Sequence, residues 1–198
     1  MFREDISRYR LILASRSPRR KQLLADAGLE FEVIVTDIPE EPPAGAGGEE
    51  TAIFLAREKA NMVKPVIKDR DIVISADTIV FCSGSFLGKP ADEQEAFAML
   101  SCISGKTHEV ITGVCLLTLH SERTFAETTR VTFDNLSDEE IYYYINEYKP
   151  YDKAGAYGIQ EWIGYIGCSR IEGSYFNVMG LPVHRVYREL EGLIDDRR

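Results

Sequence analysis

One acidic side chain stands inside an otherwise apolar stretch. Asp77 interrupts an almost continuous run of apolar and β-branched residues between Asp71 and Cys82. Such a run predicts a buried strand, and a carboxylate within it is costly to desolvate unless it is paired, hydrogen-bonded or bound to a metal ion. Aspartate also has a poor strand propensity. The pattern favours a functional carboxylate that holds a divalent cation or activates water. A strand-end aspartate facing solvent is the alternative.

A second group of candidate residues lies where a short strand candidate leads into a helix. Ser17 fits the N-cap, Pro18 fits the first helical position, and Ser15 precedes them. The N–H groups at a helix start and the helix dipole favour an anion. Arg19 and Arg20 oppose that dipole unless a phosphate, which guanidinium groups bind bidentately, lies between them. An ordinary capped helix with solvated arginines would have the same local pattern.

Four further polar side chains could take part in phosphate or nucleotide chemistry. Lys59 and Lys89 could each place a positive charge on a phosphate, although single lysines are usually solvated. Glu32 lies on the polar face of a strand candidate, where simple exposure is the alternative. Gln160 ends a segment of small residues that begins at Asp152. Its amide could contact a base edge through one donor and one acceptor, whereas a glycine-rich connector would have a similar composition.

The elements that must hold these side chains alternate between strands and helices. Period-two patterns and apolar runs predict strands over 11–14, 31–35, 71–82, 86–87, 108–119 and 124–133. Helical patterns with caps predict helices over 19–27, 51–63, 91–103, 137–148 and 182–193. Loops are predicted over 38–48 and, around one or two strands, over 151–180. Strand–helix–strand units beside hairpins predict an α/β fold with a mixed sheet.

Composition excludes several classes of protein. The 198 residues carry a net charge of −9, which argues against an extended nucleic-acid face, so we expect no nucleic-acid partner. No apolar run approaches the roughly 20 residues that span a bilayer, and the first ten residues do not resemble a signal peptide. We therefore expect a cytoplasmic protein without a membrane partner. Four cysteines without a C-x-x-C pair predict structural thiols. Serine-hydrolase, P-loop and dinucleotide motifs are absent.

Taken in order, seven segments of the chain resemble the Maf family of nucleotide pyrophosphatases. They lie at residues 13–20, 55–60, 76–80, 88–90, 104–110, 152–160 and 171–182. The likeness extends from residue 11 to about residue 190. It implies one domain over residues 1–198, with an inosine-triphosphatase-like α/β fold. In that fold a mixed, twisted sheet is flanked by helices and a cleft lies between two lobes. The cleft would be lined by residues near 15–20, 77–89 and 152–160.

The resemblance also implies a reaction. Water would attack the α–β phosphoanhydride of a nucleoside triphosphate, in the presence of Mg²⁺ or Mn²⁺, and release a nucleoside monophosphate and pyrophosphate. The family's proton acceptor corresponds to Asp77. The positions that select dTTP and UTP correspond to Arg19, Thr78 and Gln160. The phosphate and metal site corresponds to Ser15, Arg20, Glu32, Lys59 and Lys89, so we expect Asp77 and Glu32 to hold the metal ion.

Three points stay open at the level of sequence. The physiological substrate could be a modified nucleotide instead of dTTP or UTP, because a pocket that admits thymine can admit other 5-substituted bases. A non-catalytic regulator of cell division that binds nucleotide is a second alternative. A homodimer is possible from the resemblance.

Overall fold

The computed structural model describes residues 5–36 and 45–196, and its elements alternate between strands and helices as the sequence predicts. The strands are β1 (Arg10–Ala14), β2 (Glu32–Ile34), β3 (Asp71–Cys82), β4 (Ser85–Leu87), β5 (Thr107–Leu117), β6 (Glu122–Phe133) and β7 (Cys168–Glu172). The helices are α1 (Pro18–Asp26), α2 (Gly48–Val63), α3 (Glu93–Ile103), α4 (Asp138–Tyr148), α5 (Trp162–Gly167), α6 (Tyr175–Val178) and α7 (Val183–Asp195). Short 3₁₀ helices lie at Lys64–Val66 and Ala154–Ala156. Most of the loop predicted over 38–48 lies outside the described residues.

The strands of the described residues form a seven-stranded mixed sheet. Their order is β2-β1-β3-β5-β6-β7, with β4 paired to β3. β1 pairs in parallel with both β2 and β3, whereas β4 and β7 pair antiparallel with β3 and β6. Parallel neighbours need long connections, which carry α1 and α2, and antiparallel neighbours need only turns. The α/β class with a mixed sheet is therefore confirmed.

The chain divides into two compact units. Unit 1 contains the described residues within 1–77, 112–127 and 180–198, and unit 2 contains residues 78–111 and 128–179. Each unit has its own apolar cluster: Ile12, Ala56 and Val73 belong to the cluster of unit 1, and Val80 and Tyr144 to that of unit 2. The cleft expected from the family resemblance stays a prediction.

Two helix starts follow their local sequence. The Oγ of Ser17 accepts the N–H of Arg20 at 3.4 Å at the start of α1, as an N-cap residue does. Ser137 and Glu140 form a reciprocal capping box at the start of α4, with the N–H of Ser137 donating to the Glu140 carboxylate at 2.7 Å. Both predicted caps are confirmed. None of the helices in the described ranges has both the length and the apolar character needed to cross a membrane.

Helix α2 is seated against the sheet of unit 1 by two small residues. A Cβ atom on Gly113 of β5 would lie 2.2 Å from the backbone carbonyl of Ala52, so only glycine allows this approach. On β3, the Oγ of Ser75 donates a hydrogen bond to the carbonyl of Ala56 at 2.6 Å. These contacts set both the distance and the rotation of α2 over the strands.

Candidate active site

Asp77 and Lys59 form an ion pair in unit 1. Ser75 and Asp77 share one face of β3, because successive strand residues point to opposite faces. Ala56 and Lys59 share one face of α2, because they are three residues apart. The hydrogen bond between Ser75 and Ala56 therefore brings the Lys59 Nζ to the Asp77 Oδ1. Both side chains are largely buried, with 13% of Lys59 and 8% of Asp77 exposed.

This ion pair shows how the cost of burying the Asp77 carboxylate is offset. A buried carboxylate needs a partner, and the partner is an ammonium group that the sequence alone had assigned to a phosphate. The pair places a proton acceptor and a cation side by side. Such an arrangement can accept a proton from water and neutralise charge on a phosphate oxygen.

Arg20 connects the first and the last motif segments of unit 1. Its Nε donates to the carbonyl of Gly180 at 2.7 Å, and one terminal nitrogen lies 3.5 Å from the Oγ of Ser15. That Oγ also accepts the N–H of Ser17 at 3.1 Å. Gly180 has a φ of +115°, which favours glycine. Arg19 precedes Arg20 in the first turn of α1 and is half-buried.

Glu32 is not brought to Asp77. Its carboxylate, 60% exposed, lies 3.4 Å from Arg10. In the parallel register Glu32 is level with Ile12, and Ile12 is level with Val73 on β3. Asp77 lies four residues further along β3, which is about 13 Å at the usual rise of a strand. Ligands lie within about 2.5 Å of an ion, so this register does not itself bring the two carboxylates together, and their predicted sharing of one metal ion stays a prediction.

Unit 2 brings the segments of Lys89 and Gln160 together. The N–H of Gly155 donates to the carbonyl of Gly88, the residue before Lys89, at 2.9 Å. Gly155 has a φ of +70°, and a Cβ there would lie 3.1 Å from the side chain of Val80. The side chain of Lys89 is exposed. Thr78, the residue after Asp77, is the first residue of unit 2 and is half-buried.

The amide of Gln160 has an unusual environment. Its Oε1 is buried and accepts no hydrogen bond from any residue in the described part of the chain. Gly158 packs against the same amide, because a Cβ on Gly158 would lie 2.9 Å from the Nε2 of Gln160. A buried acceptor without a donor costs about 1–3 kcal/mol. A ligand N–H that reached Oε1 would remove that cost.

Sequence reasoning missed a polar cluster beside Gln160. The hydroxyl of Tyr144 donates to the Glu161 carboxylate and accepts the N–H of Gly158 at 2.9 Å. The Nζ of Lys153 lies 2.8 Å from Asp152 and 3.2 Å from Glu161, and only 8% of the Lys153 side chain is exposed. These groups surround the turn that carries Gln160.

A signal for part of this cluster was present in the sequence. Ile141, Tyr144 and Ile145 are spaced as the buried face of α4, and all three are buried. A tyrosine at a core position of a helix usually places its hydroxyl against a polar partner. The pattern could therefore have indicated a partner for Tyr144, although it could not have identified Glu161.

His108 was also missed, since the three histidines carry no motif. It is buried in unit 2, and its Nε2 lies 2.7 Å from the hydroxyl of Tyr157. Burial lowers the pKa of His108 to about 4, so the imidazole is neutral at neutral pH. The contact joins β5 to the segment that leads to Gln160.

The described residues provide a limited set of metal ligands. Within residues 5–36 and 45–196 no cluster of three or more His, Cys, Asp or Glu side chains could hold a metal ion. Mg²⁺ keeps several water molecules and commonly binds to one or two carboxylates together with substrate phosphates. Asp77 therefore fits an ion that is shared with a phosphate, and does not fit one that the protein encloses alone.

The protein has a mixed α/β sheet and a buried carboxylate–ammonium pair. Comparison with known protein families identifies the class to which it belongs. Residues 10–193 match the family described as Maf-like protein, and the chain belongs to this family. The resemblance found in the sequence is confirmed.

Two relatives are similar over nearly their whole length. The dTTP/UTP pyrophosphatase of Phocaeicola vulgatus is 53% identical over 191 residues, which cover 96% of this chain and 99% of that protein. The dTTP/UTP pyrophosphatase of Flavobacterium johnsoniae is 47% identical, with coverage of 98% and 100%. The solved structure of the Staphylococcus aureus Ham1 protein is 16% identical, with a TM-score of 0.47 and coverage of 93% and 99%.

Proposed function

We propose that this chain is a nucleoside-triphosphate pyrophosphatase that hydrolyses the α–β phosphoanhydride of dTTP and UTP. The products are the nucleoside monophosphate and pyrophosphate. The observation that carries the proposal is the buried pair of Asp77 and Lys59, which puts a proton acceptor beside a cation. Membership in the Maf family, with relatives named dTTP/UTP pyrophosphatase at about half identity, supports the reaction and the substrates.

Asp77 is the proton acceptor of the reaction. Phosphoanhydride cleavage requires charge neutralisation, in-line positioning and an activated water more than it requires covalent help. Water adds to a phosphorus of the α–β anhydride while the bond to the bridging oxygen breaks, and a proton of that water passes to the Asp77 carboxylate. Lys59 keeps the carboxylate oriented before substrate arrives and then neutralises a phosphate oxygen.

The remaining cations hold the triphosphate. Part of the Arg20 guanidinium is fixed by the Gly180 carbonyl and by Ser15, which sets the direction of its terminal nitrogens. Guanidinium groups bind phosphate oxygens bidentately, and Lys89 adds a point charge on an exposed loop. A divalent cation, Mg²⁺ or Mn²⁺, would be held by Asp77 together with phosphate oxygens and would supply further neutralisation of the triphosphate charge.

Gln160 selects the base. Uracil and thymine present an N–H donor at N3 beside carbonyl acceptors, whereas N3 of cytosine is an acceptor. The buried Oε1 of Gln160 accepts that N–H, and Nε2 donates to a neighbouring carbonyl. Arg19 and Thr78 complete the selection of dTTP and UTP, in line with the family resemblance.

The proposal includes a setting in the cell. We place the enzyme in the cytoplasm, where nucleoside triphosphates are made, and we expect a homodimer. Light scattering after size-exclusion chromatography tests the dimer: a mass near 22 kDa in place of twice that value contradicts it. The net charge of −9 supports the absence of a nucleic-acid partner.

The test is a product assay with a matched control. The purified chain is incubated with Mg²⁺ or Mn²⁺ and with dTTP, UTP, CTP, ATP and GTP, and pyrophosphate and monophosphate are measured together. Equal release of both products from dTTP and UTP is expected. Asp77→Asn should lower turnover by about 100- to 10,000-fold, the usual contribution of a general base.

Asp71→Asn is the control for that variant. Asp71 lies on the same strand, is also buried, and is ion-paired with Arg10 at 2.6 Å. Its loss should lower the free energy of unfolding and leave turnover per folded molecule unchanged. Full turnover of Asp77→Asn, or nucleotide binding without any product, would refute the proposal. The second of these results would favour the non-catalytic regulator.

A further inference from the structure

Tyr144 is the centre of a buried hydrogen-bond network in unit 2. Its hydroxyl has one proton to donate, which goes to the Glu161 carboxylate. The same oxygen accepts the N–H of Gly158 at 2.9 Å. Burial, and next the hydrogen bond to Glu161, raise the pKa of Tyr144 far above its usual range, so the hydroxyl keeps the proton that it donates. One side chain of α4 thus holds the backbone before Gln160 and the side chain after it.

The position of Gln160 depends on those two contacts. Gly158 packs so closely that a Cβ would lie 2.9 Å from the Nε2 of Gln160 and 2.8 Å from the Cδ of Glu161. The amide of Gln160 is therefore confined by the backbone that Tyr144 holds. A shift of Gly158 moves the surface against which the amide rests.

Lys153 completes the network from the other side. Its side chain is largely buried, and its Nζ lies 3.2 Å from Glu161 and 2.8 Å from Asp152. Glu161 is consequently held between the ammonium of Lys153 and the hydroxyl of Tyr144. A half-buried carboxylate with two such partners has little freedom to move, because each partner would be left unsatisfied.

We propose that Tyr144 is a positioning residue that orients the Gln160 amide and thereby sets the discrimination between UTP and CTP. This inference rests on the proposed function, in which Gln160 contacts the base. Tyr144 touches neither the base nor the phosphates and acts only through Gly158, Glu161 and Gln160. Without the hydroxyl, the N–H of Gly158 loses its acceptor and the Glu161 carboxylate loses a donor, so the turn relaxes and the amide no longer has one orientation.

A double-mutant cycle between Tyr144→Phe and Gln160→Ala separates positioning from a general structural role. We expect Tyr144→Phe to raise the KM for UTP by about tenfold and to lower kcat by less than threefold. The ratio of kcat/KM for UTP to that for CTP should fall by about tenfold, in keeping with the loss of one oriented hydrogen bond. In the Gln160→Ala background, Tyr144→Phe should have no further effect on this ratio, because the group that it orients is absent.

Tyr142→Phe is the matched control. Tyr142 lies on the same helix, is 44% exposed and stacks on Phe97 with ring centroids 4.7 Å apart. Removing its hydroxyl should leave the KM and the UTP-to-CTP ratio unchanged. Thermal unfolding of all variants identifies any that do not fold at the assay temperature.

Glu161→Gln is a second variant, in case Tyr144→Phe does not fold. It keeps an acceptor for the Tyr144 hydroxyl and removes the charge that pairs with Lys153. The UTP-to-CTP ratio should fall about threefold, again only when Gln160 is present. Effects of Tyr144→Phe or Glu161→Gln that add fully to those of Gln160→Ala would overturn the inference.

The wild-type assay keeps this test separate from that of the proposed function. If the wild-type chain releases no pyrophosphate, the proposed function fails. The same cycle is then measured on the dissociation constants of UTP and CTP by calorimetry, where additive effects again overturn the inference. If the wild-type chain releases pyrophosphate and the cycle is additive, only the role of Tyr144 fails.

Discussion

The two units differ in whether their candidate ligand-binding groups have partners within the chain. In unit 1 the charged groups already have partners within the chain: Lys59 holds Asp77, and Arg20 holds the Gly180 carbonyl and Ser15. In unit 2 the amide oxygen of Gln160 is buried and accepts no hydrogen bond from the residues that the structure describes. The residues of unit 1 that would bind phosphate thus have partners within the chain, whereas the buried amide oxygen that would contact the base has none among the described residues.

The cost of burial explains this difference. An isolated buried charge costs far more than a buried neutral acceptor, for which the penalty is about 1–3 kcal/mol. A folded chain can therefore tolerate a buried neutral amide without a hydrogen-bond donor until a ligand binds. A buried carboxylate, in contrast, needs a counter-charge at all times. Under the proposed function, a phosphate would replace the internal partners of the charged groups in unit 1, and a base would supply the missing donor to Gln160 in unit 2. Four predictions test this difference.

The largest effect is expected at Lys59. Lys59→Met leaves the Asp77 carboxylate buried without its cation, which should lower the free energy of unfolding by about 3–5 kcal/mol. It should also lower kcat/KM by about 100-fold or more, the usual result of removing one charge-stabilising group. Urea denaturation and steady-state kinetics measure the two effects.

Arg57→Met is the control for Lys59→Met. Arg57 lies on the same helix and makes an exposed ion pair with Glu122 at 2.7 Å. Exposed pairs contribute about 0–1 kcal/mol, so this variant should be almost as stable as the wild type and fully active. If Lys59→Met and Arg57→Met were equally stable, the buried carboxylate of Asp77 would not need Lys59 as its counter-charge.

The second prediction concerns pH and the neutral core of unit 2. The unfolded chain protonates His108 near pKa 6.5, and the folded chain does so only near pKa about 4. Between these values the unfolded state binds more protons, so stability falls as the pH falls. The contribution of His108 to the free energy of unfolding should decrease by about 2 kcal/mol between pH 7.5 and pH 5.

Urea denaturation at the two pH values measures this loss. His108→Gln should lack it, whereas substitution of the exposed His184 by glutamine should retain it. If His108→Gln shows the same pH dependence as the wild type, other groups carry the titration.

The third prediction tests the packing around Gln160. Gly158→Ala introduces a Cβ that would lie 2.9 Å from the Gln160 Nε2, so the amide must move. We expect the KM for UTP to rise by about tenfold, which corresponds to about 1.4 kcal/mol of binding free energy. Gly88→Ala is the control, because a Cβ on Gly88 meets nothing within 4 Å. Equal KM values for the two alanine variants would show that the amide does not need its position against Gly158.

The smallest effect is expected at Ser15. Ser15→Ala removes the Oγ that accepts the N–H of Ser17 at 3.1 Å and lies 3.5 Å from Arg20. Arg20 keeps its bond to the Gly180 carbonyl, so we expect kcat/KM to fall only about fivefold, near the value of one ordinary hydrogen bond. Ser137→Ala, which loses the cap of α4, should cost about 1 kcal/mol of stability without changing kcat/KM. A loss at Ser15 as large as that at Lys59 would show that the serine contacts the substrate directly.

The sequence predicted the local structure of this protein well, for a physical reason. β3 was predicted with its observed bounds, and the starts of α1 and α4 follow from Ser17 and Ser137. Strand alternation and helix caps depend on residues within a few positions of each other. Asp77 could be identified as a candidate in the same way, since its neighbours alone make a carboxylate costly to bury there.

Contacts between distant segments could not be predicted in this way. The sequence suggested Glu32 as a second metal ligand, but the register of β2 on β1 places it about four residues short of Asp77. Lys59 as the partner of Asp77 depends on the seating of α2 by Gly113 and Ser75. None of these facts is visible in a local pattern.

The sequence by itself therefore determined the order of the elements, the caps of their helices, the family and the carboxylate at the centre of the candidate site. Only the tertiary structure decided which group compensates that carboxylate, which acid lies away from it, and which buried network confines Gln160. The physical reason is that the energy of a buried polar group depends on the partner that packing brings to it, and packing joins residues that are far apart in the chain.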